Sequence, residues 1–166
     1  MGLWDVLTMG PVGGLFDSLA KHVLFDSVEP VRGSVVRCDL DFGLFDHTGI
    51  YVGNNRIVEL GSDGKVKLVT PDEFLNSTPA RTGISIYVAC DESTEVPLGS
   101  RKVAKRALRM LGLKTNYHPA LNNCHEFVSG CLTGEFDNCD NLLWMLEQTI
   151  ADRLNHGDDI CWRVWG

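Results

Sequence analysis

Near residue 90 the chain changes its hydrophobic rhythm, and that change limits its possible folds more than any other feature. Up to Ala89 the apolar residues fall into short runs separated by turn chemistry. Residues 31–38 (Val-Arg-Gly-Ser-Val-Val-Arg-Cys) predict a strand, residues 47–60 two strands joined around Gly53-Asn54-Asn55, residues 65–70 another and residues 84–89 another. Thr70-Pro71-Asp72-Glu73 carries a capping box with proline at the first helical position, which predicts a short helix. From Ser100 the period becomes 3.6. Val103, Ala107 and Leu111 form one stripe, with Ala104 and Leu108 beside it, and Gly112 ends it. The segment 124–132 repeats the pattern, with Phe127, Val128 and Cys131 inward and Gly134 as its stop. A last helix over 141–155 carries Leu143, Leu146, Ile150 and Leu154 inward, and residues 160–165 form a final edge strand or a docked arm. Strands first and helices after define an α+β class, a small antiparallel sheet packed against helices.

The 166 residues suit one domain. Residues 1–29 read as an N-terminal helical extension, 30–135 as the core and 136–166 as a C-terminal helix and tail. In the extension, Leu15, Phe16, Leu19, Ala20 and Val23 recur at helical spacing and predict a short helix ending before Pro30. An alternative lays the apolar segment 3–23 on a membrane surface as a peripheral contact, although it lacks the basic residues such helices carry. A net charge of −7 argues against a nucleic-acid partner. The N-terminus has no basic n-region and places Asp5 among its apolar residues, and Val6 stands where a myristoylation motif needs Ser or Thr. No apolar run approaches the ~20 residues of a membrane span. The expectation is a cytoplasmic protein, with delivery by a secretion machine the exception left standing. The sequence does not specify an oligomeric state.

Six cysteines without a repeat read as free thiols rather than as a disulfide framework. Cys124, His125, Cys131 and Cys139 lie close in sequence but have no C-x₂-C knuckle, so neither a metal nor any other cofactor is expected. Cys131 falls on the apolar stripe and reads as core. Cys38, Cys90, Cys139 and Cys161 have no partner motif.

The block Asn123-Cys124-His125-Glu126-Phe127-Val128 places a cysteine where a helix begins. Unpaired N–H groups and the positive end of the helix dipole there favour thiolate over thiol. Far upstream, Asp46-His47-Thr48-Gly49-Ile50-Tyr51-Val52-Gly53 puts a histidine at the mouth of a strand, the partner a thiolate nucleophile needs.

These two blocks, His-x-Gly-Ile-Tyr-Val-Gly and Asn-Cys-x-x-Phe-Val, resemble the lecithin:retinol acyltransferase-like family over about residues 30–135. That family is similar to NlpC-type thiol peptidases, with the papain-like core circularly permuted so that histidine precedes cysteine. Tyr117, seven residues before Cys124, fits the resemblance. The resemblance implies Cys124 as nucleophile, His47 as general base and Glu59 in the third place, where the family often has a second histidine. A carboxylate there can accept the other imidazole N–H and stabilise the imidazolium. The backbone N–H of Cys124 would serve as oxyanion donor with Tyr117 as helper, and Asn123, Tyr51 and His118 would line the pocket. Tyr51 reads equally as a core aromatic. Many relatives carry Glu-His after the nucleophile, whereas this chain has His125-Glu126. Positions one and two past the cysteine point away from it on a helix, so the exchange is expected to alter only outer contacts. His22, His125 and His156 read as surface or capping residues.

Geometry adds a demand. A hairpin symmetric about Gly53 puts His47 and Glu59 opposite one another, on the face of Tyr51 and Ile57, with Ile50, Val58 and Leu60 behind. A two-residue Asn54-Asn55 turn would swap Glu59 to the other face unless a bulge restored it. Arg101, Lys102, Lys105, Arg106 and Arg109 form a basic flank, read either as a solvated face or as a platform for anionic head groups. Three functions follow: a cysteine-dependent acyl hydrolase or acyltransferase on lipid esters; a peptidase or amidase on peptide, isopeptide or cell-wall bonds; and a non-catalytic interaction module of the same fold.

Overall fold

The computed structural model describes residues 27–40, 45–76, 85–114 and 123–166. The expected helix over 15–23, Tyr117 and His118 lie outside them. Among the described residues six strands form one antiparallel sheet: β1 (Val35–Leu40), β2 (Phe45–Gly53), β3 (Arg56–Leu60), β4 (Val66–Val69), β5 (Ile86–Asp91) and β6 (Ile160–Val164), in the order β4-β3-β2-β1-β5-β6. The tail is thus an edge strand, paired with β5. The helices among the described residues are α1 (Pro71–Asn76), α2 (Arg101–Arg109), α3 (Asn123–Thr133) and α4 (Leu143–Leu154).

Local chemistry sets the ends of these elements. Thr70 and Glu73 close the capping box ahead of α1: the Thr70 N–H donates to the Glu73 carboxylate at 2.7 Å, and the Glu73 N–H donates to Thr70 Oγ1 at 3.2 Å. Ser100 caps α2 by accepting from the Lys102 N–H. The first strand starts at Val35 rather than at 31 because Gly33, at φ +92°, turns the chain there, and any side chain would run into the Ser100 backbone.

Alternation divides the sheet into two apolar faces. Ile50, Val52, Val58, Leu60 and Val66 meet Val103, Ala104 and Ala107 of α2, Phe127, Val128, Cys131 and Leu132 of α3, and Leu146 and Ile150 of α4. Val36, Cys38, Ile57, Val69 and Val88 pack on the opposite side with Phe74 of α1. Asp140 joins α3 to α4 by accepting from the Ser129 and Thr149 hydroxyls, both at 2.6 Å. Arg106 is withdrawn from the expected basic flank. It donates to the Cys131 and Leu132 carbonyls at 3.1 and 2.7 Å and so satisfies the C-terminal end of α3. Among the described residues no helix is long and apolar enough to cross a membrane.

Gly49 permits the close approach of α1 to β2. A Cβ there would come to 2.7 Å from Ile57 Cγ2 and 3.0 Å from both Phe74 Cε2 and the Val58 carbonyl oxygen. Gly49→Ala is therefore expected to destabilise the fold by about 1–3 kcal/mol, read as a lowered denaturant midpoint at unchanged slope.

Candidate active site

The β2–β3 hairpin turns through Asn54 and Asn55, at φ 53° and 56°, the two left-handed residues of a type I′ turn. That turn pairs Gly53 with Arg56, a register that alone would send Glu59 to the helix-covered face. A bulge between Tyr51 and Gly53 shifts the pairing, so that Tyr51 meets Ile57, Ile50 meets Val58 and Gly49 meets Glu59. The hairpin is therefore not symmetric about Gly53. His47 and Glu59 share a face as expected, but as diagonal rather than directly opposite neighbours. The absent side chain of Gly49 leaves room between them. His47 Nε2 lies 2.8 Å from Glu59 Oε2, with His47 5 % and Glu59 1 % exposed. Phe74 covers the imidazole, with ring centroids 5.0 Å apart.

Cys124 stands at the second position of α3, held there by Phe127, Val128 and Cys131 one turn and two turns on, all in the core. Its N–H lies in the first turn of the helix, where the positive end of the dipole favours negative charge. Sγ lies 3.9 Å from the Asp46 carbonyl oxygen and 3.9 Å from His125 Nδ1. Burial pushes the thiol up, but hydrogen bonds from His125 and His47, reinforced by the charge of both rings, hold it well below the ordinary thiol range. With Nε2 on Glu59, Nδ1 is the His47 nitrogen left for the sulfur. Asp46 is itself anchored by Arg37, whose guanidinium pairs with its carboxylate and stacks over the Tyr87 and Trp162 rings at 4.9 and 5.1 Å.

The other expected residues distribute differently. Tyr51 stands edge-on to Trp165, centroids 5.2 Å apart, four residues along β2 from His47. Asn123 opens α3. Tyr117 and His118 lie outside the described residues. Cys131 is in the core, where burial raises its thiol to about 12, and burial raises Cys90 to about 11. Cys139 is exposed. Among the described residues no three His, Cys, Asp or Glu side chains group as metal ligands.

His125 departs most from expectation. It is 5 % exposed rather than a surface or capping residue, and its Nδ1 lies 3.0 Å from Thr48 Oγ1. The signal was available: Thr48 alternates with His47, so a helix end that reaches both faces of β2 meets both residues.

An antiparallel sheet with three helices on one face and a short one on the other, and a low-lying thiol at the start of one helix beside a histidine of the sheet, are a fold and site suited to acyl transfer and thiol hydrolysis. The chain belongs to the lecithin retinol acyltransferase family, whose model matches residues 28–137, well over half of its length. No curated protein matches it. Members of the family are acyltransferases and thiol hydrolases, and membership supports activity of that general kind.

Proposed function

We propose that the protein is a cysteine-dependent acyl hydrolase or acyltransferase that acts on lipid acyl esters through a thioester, with Cys124 as nucleophile, His47 as general base and Glu59 as the group that orients the imidazole. The observation that carries this reading is the buried His47–Glu59 pair, 2.8 Å apart, beside a thiol that its surroundings hold low. His47 takes the Cys124 proton and the sulfur attacks the ester carbonyl carbon. The C–S bond forms as the carbonyl pair moves onto oxygen, where the Cys124 N–H can donate to it. Collapse expels the alkoxide, which takes the proton from His47, and leaves the thioester. Water or an acceptor alcohol or amine then gives its proton to His47 and attacks in turn, releasing Cys124. Glu59 accepts from Nε2 throughout, so Nδ1 keeps its aim and the imidazolium is stabilised.

Two observations favour a lipid. The family's description names lecithin, a phospholipid. The chain also exposes cations on α2 and beside the edge strand β4 despite its net charge of −7. Lys65 bridges to Lys114, next to Leu113 at 49 % exposure, while Arg101, Lys102, Lys105 and Arg109 stand exposed on α2. Exposed cations of this kind suit an anionic bilayer surface.

The test is acid-quenched intact mass of the full chain after incubation with phosphatidylcholine vesicles and, separately, with cell-wall peptides. An acyl increment on Cys124 with the vesicles alone is expected. Turnover of peptide alone would transfer the chemistry to amide bonds, and no adduct together with no alkylation of Cys124 near neutral pH would defeat the thiol mechanism. Glu59→Gln, which keeps volume but removes the charge behind the imidazole, should lower turnover about 10- to 100-fold, less than loss of His47.

A further inference from the structure

The first residues of α3 meet β2 in step. Cys124 faces Asp46 and His47, and His125 faces Thr48, so consecutive helix residues contact consecutive strand residues whose side chains leave on opposite sides of the sheet. His125 is thereby buried with its Nδ1 shared between two atoms, Thr48 Oγ1 at 3.0 Å and Cys124 Sγ at 3.9 Å. Thr48 is fully buried, and its hydroxyl oxygen can accept from Nδ1–H, which holds the proton on the nitrogen that faces the sulfur and leaves that N–H shared between oxygen and sulfur.

We propose that His125 is a second imidazole of the thiol centre, which Thr48 orients so that Nδ1–H supports the Cys124 sulfur whenever that sulfur carries negative charge. The inference rests on Cys124 being the nucleophile and goes beyond it. His47 changes protonation state in each half of the cycle, since it takes the thiol proton, gives it to the leaving alkoxide and then takes one from the acceptor. His125 transfers no proton. It offers a constant donor to the thiolate before attack and again when the thioester collapses, and neither bond-making step changes its own proton count. Among the described residues the other titratable group facing the sulfur is His47, backed by Glu59, while Asp46 meets it through the backbone carbonyl and keeps its carboxylate on Arg37. On the same helix Glu126 opposes the thiolate: burial, Asp140 and Cys124 itself raise its carboxyl. With an anionic neighbour on its own helix, the thiolate gains from a second donor.

The experiment is the pH profile of Cys124 alkylation by iodoacetamide, read by intact mass on the full chain, together with kcat and KM for vesicle lipid. Variants are His125→Phe, His125→Asn, Thr48→Val and His47→Ala. His125→Phe should move the alkylation midpoint up by about one pH unit and lower kcat about tenfold with KM little changed. His125→Asn, whose amide can place an N–H near the Nδ1 position, should recover at least half of that shift. Thr48→Val, which keeps shape and loses the hydroxyl, should move the midpoint in the same direction by less. If His125→Phe fails to fold, the Thr48→Val shift and a near-native His125→Asn profile support the proposal, and an unshifted Thr48→Val profile overturns it. If His125→Phe and Thr48→Val both keep the wild-type profile while His47→Ala shifts it, His125 is packing alone and the triad reading survives. If His47→Ala also leaves the profile unshifted, with the wild-type thiol reacting only in the ordinary range, both readings fall.

Discussion

Cys124→Ala is expected to reduce acyl turnover by about 10⁵-fold or more and to abolish the acyl adduct, while the protein stays folded. Only one atom is lost, from a position where Phe127, Val128 and Cys131 carry the packing of the helix. The adduct should not migrate to another sulfur. Burial raises Cys131 to about 12 and Cys90 to about 11 and disfavours the thiolate of Cys161, so near neutral pH these are poor nucleophiles. The variant also changes the pH dependence of stability. The Cys124 thiol lies lower in the folded chain than in the unfolded one. Between these two values the folded state has released the proton and the unfolded state still holds it, so stability rises with pH across that window. This contribution is complete above the unfolded thiol value, about 8.5, and is lost as pH falls through the folded one. Denaturant midpoints of wild type and Cys124→Ala should therefore diverge as pH rises toward about 8.5 and converge in acid. Parallel curves would mean that the thiol is not held low.

His47→Ala should be the more damaging change to the fold. It removes the imidazole from a carboxylate that is 1 % exposed and 2.8 Å away. Breaking one side of a buried ion pair costs about 3–5 kcal/mol, much of it from the charge left behind. Adding Glu59→Gln to His47→Ala should recover part of that loss, because the amide has no charge to desolvate. Turnover should fall about 10³-fold or more and should not return in the double variant. Equal denaturant midpoints for wild type and His47→Ala would show that Glu59 does not depend on His47.

Much of this was legible in the sequence because it depends on local chemistry. The change of period placed the helices of the second half, Thr70 and Glu73 announced their capping box, and the stripe of Phe127, Val128 and Cys131 showed which side of α3 is inward. The Cys124 and His47 blocks carried the family resemblance, which matches residues 28–137. The hairpin was legible only as a pair of alternatives. Two adjacent asparagines specify the turn, but they do not say whether a bulge lies between Tyr51 and Gly53, and the pairing of the two strands depends on it. Arg106 and His125 were misread for a related reason. Each looks polar and therefore external by type, but Arg106 reaches the carbonyls of another helix and His125 reaches a hydroxyl on a strand distant in sequence. Contacts between remote segments leave no periodicity.

The bulge in β2 also separates the identity of a residue from its usefulness. Glu59 can serve the imidazole only while an extra residue keeps the strands in phase; without it the same glutamate, unchanged in sequence, would project among the helices. The site thus depends on the parity of a residue count, so a one-residue insertion or deletion between His47 and Glu59 threatens it more than many substitutions do. A homologue that keeps both residues at a spacing different by one should either show a compensating bulge or have lost the carboxylate from its site.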